Sequence, residues 1–305
     1  MSPGRVALRC ALVFLAVVGF VAIRYALKAD SLVHAPKSPV TPDAEATAFA
    51  QIPKLENVSL RTSDGMSLRA WFAPGERRAV VILVHGGGGN RAQLLPEAVV
   101  FSQHGYGILA YDSRACGESD GDLVSWGDHE QNDLTAALDY VSSRHEVDPQ
   151  RIAVLGFSIG ASTVAMTAAR DPRPNAVILY ATWSSLADEI ATKFGKLGPL
   201  SWWPTLFAMR MHGVNPDNVR PIDVIGAIHP RPLLMITGTL DGDTPVPVMR
   251  RLFEAAGAPK ELWVVPGADH GTYFKTAPAE YESRVVAFLD GAFFSSTTNA
   301  SSPRQ

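Results

Sequence analysis

The sequence predicts an α/β domain with a mostly parallel central sheet and helices on both of its faces. Six short apolar runs have the length and composition of buried strands: 79–85, 107–112, 151–157, 175–181, 232–238 and 261–267. Amphipathic segments with helical periodicity lie at 129–144, 161–170, 246–256 and 278–293. Strands that alternate with helices in this way form parallel sheets. Ligands of such sheets bind at the carboxyl ends of the strands, so we expect the functional site in the loops that follow them.

The composition excludes several classes of protein. Lys and Arg number 27 against 30 Asp and Glu, a net charge of −3, whereas a nucleic-acid-binding domain is usually strongly basic. Hydrophobic residues make up 47% and charged residues 19%, which excludes a globally disordered chain. The two cysteines, Cys10 and Cys116, are too few for a disulfide framework and lack the paired spacing of a zinc site. We therefore expect no nucleic-acid partner and no metal.

The N-terminal segment 1–29 has the pattern of a signal-anchor or transmembrane helix. Residues 10–23 carry no charge, and Arg5 and Arg9 precede them. Fourteen residues suit the core of a signal peptide, but the apolar stretch reaches 22 positions if the flanking arginines extend toward the headgroups. The residues that follow it form a poor cleavage site, which favours an uncleaved anchor over a secreted protein. The excess of positive charge before the segment predicts that the domain lies on the exported side of the membrane.

Three further regions follow from composition. Residues 30–53 contain four prolines among Ser, Thr and Ala, and predict an extended linker. Residues 54–294 have the size of one α/β domain, and its segment 183–218 is an insertion that could form a small helical lid. Residues 295–305 are polar and of low complexity, which predicts a disordered tail.

A Gly-x-Ser-x-Gly motif surrounds Ser158, between a predicted strand and a helix rich in small residues. Glycines on both sides of the serine permit a sharp turn that lifts its hydroxyl above the sheet. The motif alone is weak, because a chain with 25 glycines can contain it by chance, and an ordinary helix start is the alternative. Its position after a buried strand favours a nucleophilic serine.

The run His85-Gly-Gly-Gly-Gly-Asn90 follows another predicted strand. Consecutive glycines leave backbone N–H groups unobstructed, which suits an oxyanion hole. A phosphate-binding loop is the alternative, but the lysine and hydroxyl residue of that motif are absent. We expect His85 itself to anchor the loop.

An acid and a histidine stand in the loops after the last two predicted strands. Asp241 follows the strand at 232–238, and His270 follows the strand at 261–267. The chain order Ser158, Asp241, His270 is the order of a hydrolase triad on this type of sheet. Asp243 competes with Asp241 for the role of the acid.

Together these motifs resemble those of the α/β-hydrolase superfamily, in the family's order, over about residues 55–293. The resemblance rests on HGGGGN, the YDSRACGESDG loop, GFSIG, GTLDGD and GADHG. It implies the α/β-hydrolase fold, with Ser158 as nucleophile, His270 as base and Asp241 as acid. It also implies that Gly87 and Ile159 donate the oxyanion-hole amides, with Gly86 and Gly88 as alternatives to Gly87. Ala115 stands where relatives commonly have glycine.

The insertion 183–218 contains the aromatic residues Trp202, Trp203 and Phe207. They could line an acyl pocket as substrate-binding residues or form the core of a lid. Cys116 has no base partner in its loop, so we expect an unreactive thiol.

These observations predict a serine hydrolase, EC 3.1.1.-, that cleaves small-molecule carboxylic esters through an acyl-enzyme intermediate and needs no cofactor. A peptidase or amidase of the prolyl-oligopeptidase type is the alternative among enzymes. A tethered binding protein on a hydrolase scaffold is the alternative from another class. The sequence makes no prediction of oligomeric state.

Overall fold

Eight strands form one sheet in the structure, a computed structural model that describes residues 3–294. The strands are β1 (Glu56–Arg61), β2 (Ser67–Ala73), β3 (Val80–Val84), β4 (Gly107–Tyr111), β5 (Ile152–Phe157), β6 (Ala176–Tyr180), β7 (Leu233–Gly238) and β8 (Lys260–Val265). Their order in the sheet is β1-β2-β4-β3-β5-β6-β7-β8. The pairs β1–β2 and β2–β4 are antiparallel, and the other pairs are parallel. The predicted parallel sheet is confirmed, and an antiparallel hairpin extends one edge.

Eleven α-helices accompany the sheet within residues 3–294: α1 (Pro3–Val33), α2 (Pro42–Gln51), α3 (Leu95–Gln103), α4 (Glu130–Ser143), α5 (Ile159–Ala168), α6 (Leu186–Phe194), α7 (Pro199–Met211), α8 (Pro221–Val224), α9 (Val246–Ala255), α10 (Tyr273–Thr276) and α11 (Pro278–Phe294). The four predicted helices correspond to α4, α5, α9 and α11. Helices α6 and α7 form the insertion between β6 and β7.

The apolar runs form strands because the central strands are covered on both faces. Successive residues of β3 alternate between two core clusters, so that Leu83 packs on one side and Ile82 on the other. The first cluster contains side chains of α3 and α11, and the second contains side chains of α4, α5 and α9. Each side chain of β3 is therefore removed from water, which explains an uninterrupted run of Val, Ile and Leu rather than an alternating pattern.

The structure differs from the sequence analysis in the segment 30–53. Helix α1 continues to Val33, and Pro42–Gln51 forms α2, capped by the Thr41 side chain. The chain between the two helices is bonded to the domain, since Lys37 donates to the carbonyl of Ser119. The prediction of an extended linker is therefore wrong for this segment: a local helix cap and contacts with distant loops outweigh the effect of the prolines. The predicted tail 295–305 lies outside the described residues.

Helix α1 is long and apolar enough to cross a membrane, with a mean hydropathy of 2.6 in its most apolar window. Residues 3–17 are exposed on all sides. From Val18 onward one side of the helix is covered, at Val18, Ala22, Tyr25, Ala26, Ala29 and Val33. These positions recur with helical spacing, so the C-terminal half of α1 packs on the domain along one stripe.

Candidate active site

Ser158 stands at a strained turn between β5 and α5. Its φ of 54° and ψ of −114° lie outside the regions that L-residues usually adopt. The neighbouring glycines are sterically required: a Cβ on Gly156 would lie 2.4 Å from the carbonyl oxygen of Gly160, and one on Gly160 would lie 2.3 Å from that of Val84. The sharp turn predicted from the motif is present, and it brings the Ser158 hydroxyl above the end of the sheet.

His270 lies between Ser158 and Asp241. Its Nε2 is 3.1 Å from Oγ of Ser158, and its Nδ1 is 3.1 and 2.9 Å from Oδ1 and Oδ2 of Asp241. The imidazole packs against the ring of Phe157 with 4.8 Å between the ring centroids. The loops after β5, β7 and β8 thus bring these three predicted residues into one hydrogen-bonded line, because the parallel strands end at the same edge of the sheet.

The carboxylate of Asp241 is fully buried. Burial opposes its ionisation, but hydrogen bonds from His270, the amide of Thr244 and the hydroxyl of Tyr273 prevail and hold its pKa below the usual range. Asp243 is half exposed, and its Oδ2 lies 3.5 Å from Nζ of Lys193. Of the two competing acids, Asp241 is therefore the one that contacts His270.

The glycine run after β3 lies directly beside Ser158. A Cβ on Gly86 would lie 3.3 Å from that of Ser158, and a Cβ on Gly87 would lie 2.6 Å from Cδ1 of Ile159. The amides of Gly87 and Ile159 make no hydrogen bond to other atoms of residues 3–294. The structure thus brings Gly87 and Ile159, the two predicted amide donors, next to each other beside Ser158, and neither N–H group has a partner in the described chain.

His85 anchors this loop, as the sequence analysis expected. Its Nε2 accepts a hydrogen bond from the amide of Ser113, and its Nδ1 lies 2.7 Å from the carbonyl oxygen of Gly86. Burial lowers the pKa of His85, which keeps the imidazole neutral with its proton on Nδ1. The ring therefore joins the glycine loop to the loop after β4.

Comparison with known proteins gives the family. The family model described as serine aminopeptidase, S33, matches residues 75–223, a range that includes Ser158 but ends before Asp241. An uncharacterized protein from Mycobacterium tuberculosis is 30% identical over 242 residues, which cover 78% of this chain and 79% of the relative. An esterase from Pyrococcus furiosus has a TM-score of 0.69 at 24% identity, with 84% of this chain and 97% of that chain covered.

The chain belongs to the α/β-hydrolase superfamily. A further structure with this fold is a membrane phospholipase A, a bacterial virulence factor. It has a TM-score of 0.63 at 16% identity, and the match covers 96% of this chain and all of that chain.

Tyr273 is a residue of this hydrolase that the sequence analysis missed. It is buried, begins α10, and donates a 3.0 Å hydrogen bond to Oδ2 of Asp241. Its signal in the sequence is weak, because it is a lone tyrosine three residues after His270. The tight turn over residues 269–272 brings it back toward Asp241.

The aromatic residues of the insertion occupy different environments. Trp202 is half-buried in a cluster with Leu206 and Met209, whereas Trp203 and Phe207 are 63% and 64% exposed. The prediction that Trp203 and Phe207 line an acyl pocket is therefore not supported: they point away from the cluster that the buried side of α7 forms. The cluster that contains Ile159 also contains Trp183, Leu206 and Met209, and of the three predicted aromatic residues only Trp202 packs against it.

Two other groups in the described residues carry side chains that can bind a metal ion or react. Asp30, His34 and His212 form a cluster that could hold a metal ion, with their ligand atoms within 4.8 Å of one another, but none of them belongs to the site around Ser158. Cys116 is buried, and burial raises its pKa to about 12, so its thiol is unreactive at neutral pH.

Proposed function

We propose that this hydrolase is a serine esterase that cleaves carboxylic esters, with Ser158 as nucleophile, His270 as general base and Asp241 as the acid that orients it. The observation that carries this proposal is the continuous line from Ser158 Oγ through His270 to the buried carboxylate of Asp241. Nucleophile and base are within hydrogen-bond reach, and a third group orients the base, which is the arrangement that activates a serine hydroxyl.

The reaction follows from the groups present. His270 takes the hydroxyl proton of Ser158 at Nε2 as Oγ attacks the acyl carbon, and Asp241 stabilises the resulting imidazolium. The amides of Gly87 and Ile159 stabilise the negative oxygen of the tetrahedral intermediate. His270 then returns the proton to the leaving alcohol, which departs as an acyl-enzyme forms on Oγ. A water molecule then gives a proton to His270 and attacks the acyl carbon, the bond from that carbon to Oγ breaks to release the acid, and His270 returns the proton to Oγ of Ser158.

The surroundings of Ser158 favour an uncharged acyl group. Ile159 belongs to a hydrophobic cluster with the buried side of α7, where an unpaired charge would be costly. The Pyrococcus furiosus relative is an esterase, which agrees with this substrate class.

A peptidase is the second candidate, because the matching family model carries the name of a serine aminopeptidase. Such an enzyme must bind a protonated amine near the nucleophile. A cleft of about 500 Å³ between α6 and the loop after β7 is lined by the carboxylates of Asp188, Glu189 and Asp243 and by the guanidinium of Arg251. Lys193 lies 3.0 Å from Glu189 and 3.5 Å from Asp243, so two of the three carboxylates already have a cationic partner, and Arg251 adds a further positive charge that opposes the binding of an amine. This arrangement favours the esterase.

We further propose that α1 is an uncleaved signal-anchor that holds the domain on the exported side of the membrane. Its length and hydropathy suit one span, and the packing of its C-terminal half on the domain suits a helix that is retained. A secreted, cleaved form is the alternative. A reporter fused after Gln305 should be active on the exported side, and activity in the cytoplasm would reverse the topology.

Labelling with a fluorophosphonate tests the catalytic proposal. The wild-type protein should label and hydrolyse p-nitrophenyl esters, and Ser158→Ala should lose both. Ser162→Ala is a matched control on the same helix, since the Ser162 hydroxyl is buried without a hydrogen-bond partner in the described chain. It should label as the wild type does. Labelling that persists in folded Ser158→Ala would overturn the proposal, and kcat/KM higher for aminoacyl anilides than for esters would favour the peptidase.

A further inference from the structure

Helix α7 lies beside α1 and runs in the same direction. The hydroxyl of Thr205 donates to the carbonyl oxygen of Tyr25, and nine residues further along the chain, directly after the ends of both helices, the ring of His34 packs on that of His212. From the first contact to the second, the residue numbers increase along both α1 and α7, so the two helices are parallel. At a rise of about 1.5 Å per residue, Leu200 lies level with about Phe20. The first half of α7 therefore stands beside the apolar part of α1.

The part of α1 that extends beyond the domain is too short to cross a bilayer by itself. Residues 3–17 extend beyond the domain and measure about 22 Å, whereas the hydrocarbon core is about 30 Å thick. A spanning α1 must therefore use residues beyond Val18, where the helix is already packed on the domain. The part of the domain beside those residues must reach the bilayer as well.

The side chains that α7 exposes there are apolar. Trp203 is 63% exposed and Leu200 is 51% exposed, and Phe207 and Met211 continue the same stripe with helical spacing. Leu197, in the turn before α7, is also exposed. No carboxylate occurs in residues 194–211, and the charged side chains in this range are Lys196 and Arg210. An apolar stripe with an interfacial tryptophan and basic neighbours suits the boundary of a membrane with anionic lipids.

We propose that the exposed stripe of α7, formed by Leu197, Leu200, Trp203, Phe207 and Met211, docks on a phospholipid bilayer. Leu197, Leu200 and Trp203 enter the boundary between headgroups and acyl chains, and Met211 lies further out. The proposal rests on the anchor proposed above for α1, but it does not depend on hydrolysis. Docking explains why Trp203 and Phe207, which the sequence suggested as pocket residues, are exposed on the surface of the domain: lipid rather than water covers them.

Site-specific labelling in the full chain tests this placement. A bimane label is attached at single cysteines that replace Leu200, Trp203 or Met211, in a Cys10→Ser background in which Cys116 is buried and unlabelled. The proteins are reconstituted in vesicles of phosphatidylcholine and phosphatidylglycerol. Quenching is compared between lipids with a nitroxide in the acyl chain and iodide in the water. Val13→Cys reports on α1 itself, and Phe49→Cys, an exposed aromatic position on α2, is the matched control.

Positions 200 and 203 should be quenched by the lipid nitroxide at least three times more strongly than position 49, and position 211 should be intermediate. Strong iodide quenching at positions 200 and 203, as at position 49, would refute docking of the stripe on lipid. If position 13 were still quenched by the lipid nitroxide in that case, the proposal that α1 is a membrane anchor would be retained. Loss of lipid quenching at position 13 would refute the anchor as well. A label at position 203 that is protected from both quenchers, and that loses this protection when the protein is diluted, would show that the stripe binds a second copy of the chain. That outcome would refute docking on lipid.

Discussion

The hydroxyl of Tyr273 donates to the same carboxylate oxygen of Asp241 that lies 2.9 Å from Nδ1 of His270. Burial raises the pKa of Tyr273 far above its ordinary value, so the phenol remains a neutral donor. The amides of Asp243 and Thr244 donate to the other oxygen. Asp241 is therefore held in one orientation by its own turn and by α10, and His270 meets a carboxylate that is already in place.

The two acids after β7 should differ sharply in their effect on catalysis. Asp241→Asn removes the charge that stabilises the imidazolium and should lower kcat about 10³-fold or more. Asp243→Asn changes a half-exposed side chain that contacts Lys193, and should lower kcat less than about threefold. Steady-state kinetics with p-nitrophenyl acetate measures both. The reverse order of the two effects would transfer the acid role to Asp243.

Tyr273→Phe should act through Asp241. Loss of one donor raises the pKa of the carboxylate and loosens its orientation, so we expect kcat to fall roughly five- to tenfold with little change in KM. A more basic Asp241 carboxylate attracts the Nδ1 proton of His270 more strongly and favours the imidazolium, so the acid limb of the kcat profile should move upward. An unchanged acid limb with a uniform loss of folded protein would mean that Tyr273 is needed for packing alone.

Gly160→Ala should disrupt the turn at Ser158. The new Cβ would lie 2.3 and 2.4 Å from the carbonyl oxygens of Val84 and His85, so the strand and helix must separate. We expect a loss of stability of about 3 kcal/mol and loss of ester hydrolysis. Gly291→Ala on α11 is the matched control, because nothing lies within 4 Å of its Cβ and alanine favours a helix. Thermal unfolding followed by circular dichroism compares them, and equal Tm values would contradict the steric argument.

Glu97 should make stability depend on pH. It lies on α3, and burial raises its pKa from 4.5 to about 7. The folded pKa lies above the unfolded one, so the associated stability is fully present below about pH 4.5 and is lost as the pH rises to about 7. The loss is up to about 3 kcal/mol.

Glu97→Gln imitates the protonated form and should therefore raise Tm at pH 8 by roughly 5 °C while leaving Tm at pH 4.5 nearly unchanged. Glu254→Gln, at an exposed position on α9, should change neither value. If the Tm difference between Glu97→Gln and the wild type were the same at every pH between 4.5 and 8, Glu97 would not be the group that makes stability depend on pH.

The sequence by itself determined the features that depend on short-range rules. Strands β3 to β7 are fully buried and read as apolar runs, β8 at the edge of the sheet still carries the apolar run Leu262 to Val265, and helices have a period of 3.6 residues, so these six strands and four of the helices could be predicted from the pattern. The turn at Ser158 was also predictable, because a side chain on Gly156 or Gly160 would collide with backbone only a few residues or one strand away. The order of Ser158, Asp241 and His270 followed from the motifs.

The tertiary structure decided which side chains meet. Asp241 and Asp243 lie in one turn, and which of them faces His270 depends on how the loops after β7 and β8 approach each other, which no local pattern encodes. Trp203 faces outward because α1 and the domain occupy the other side of α7. Helix α2 has local start signals, the Thr41 cap and a proline at its first position, and the packing of Ala48 in the core stabilises this short helix against the domain. Contacts between residues far apart in the chain thus decide the first two features and complete the third.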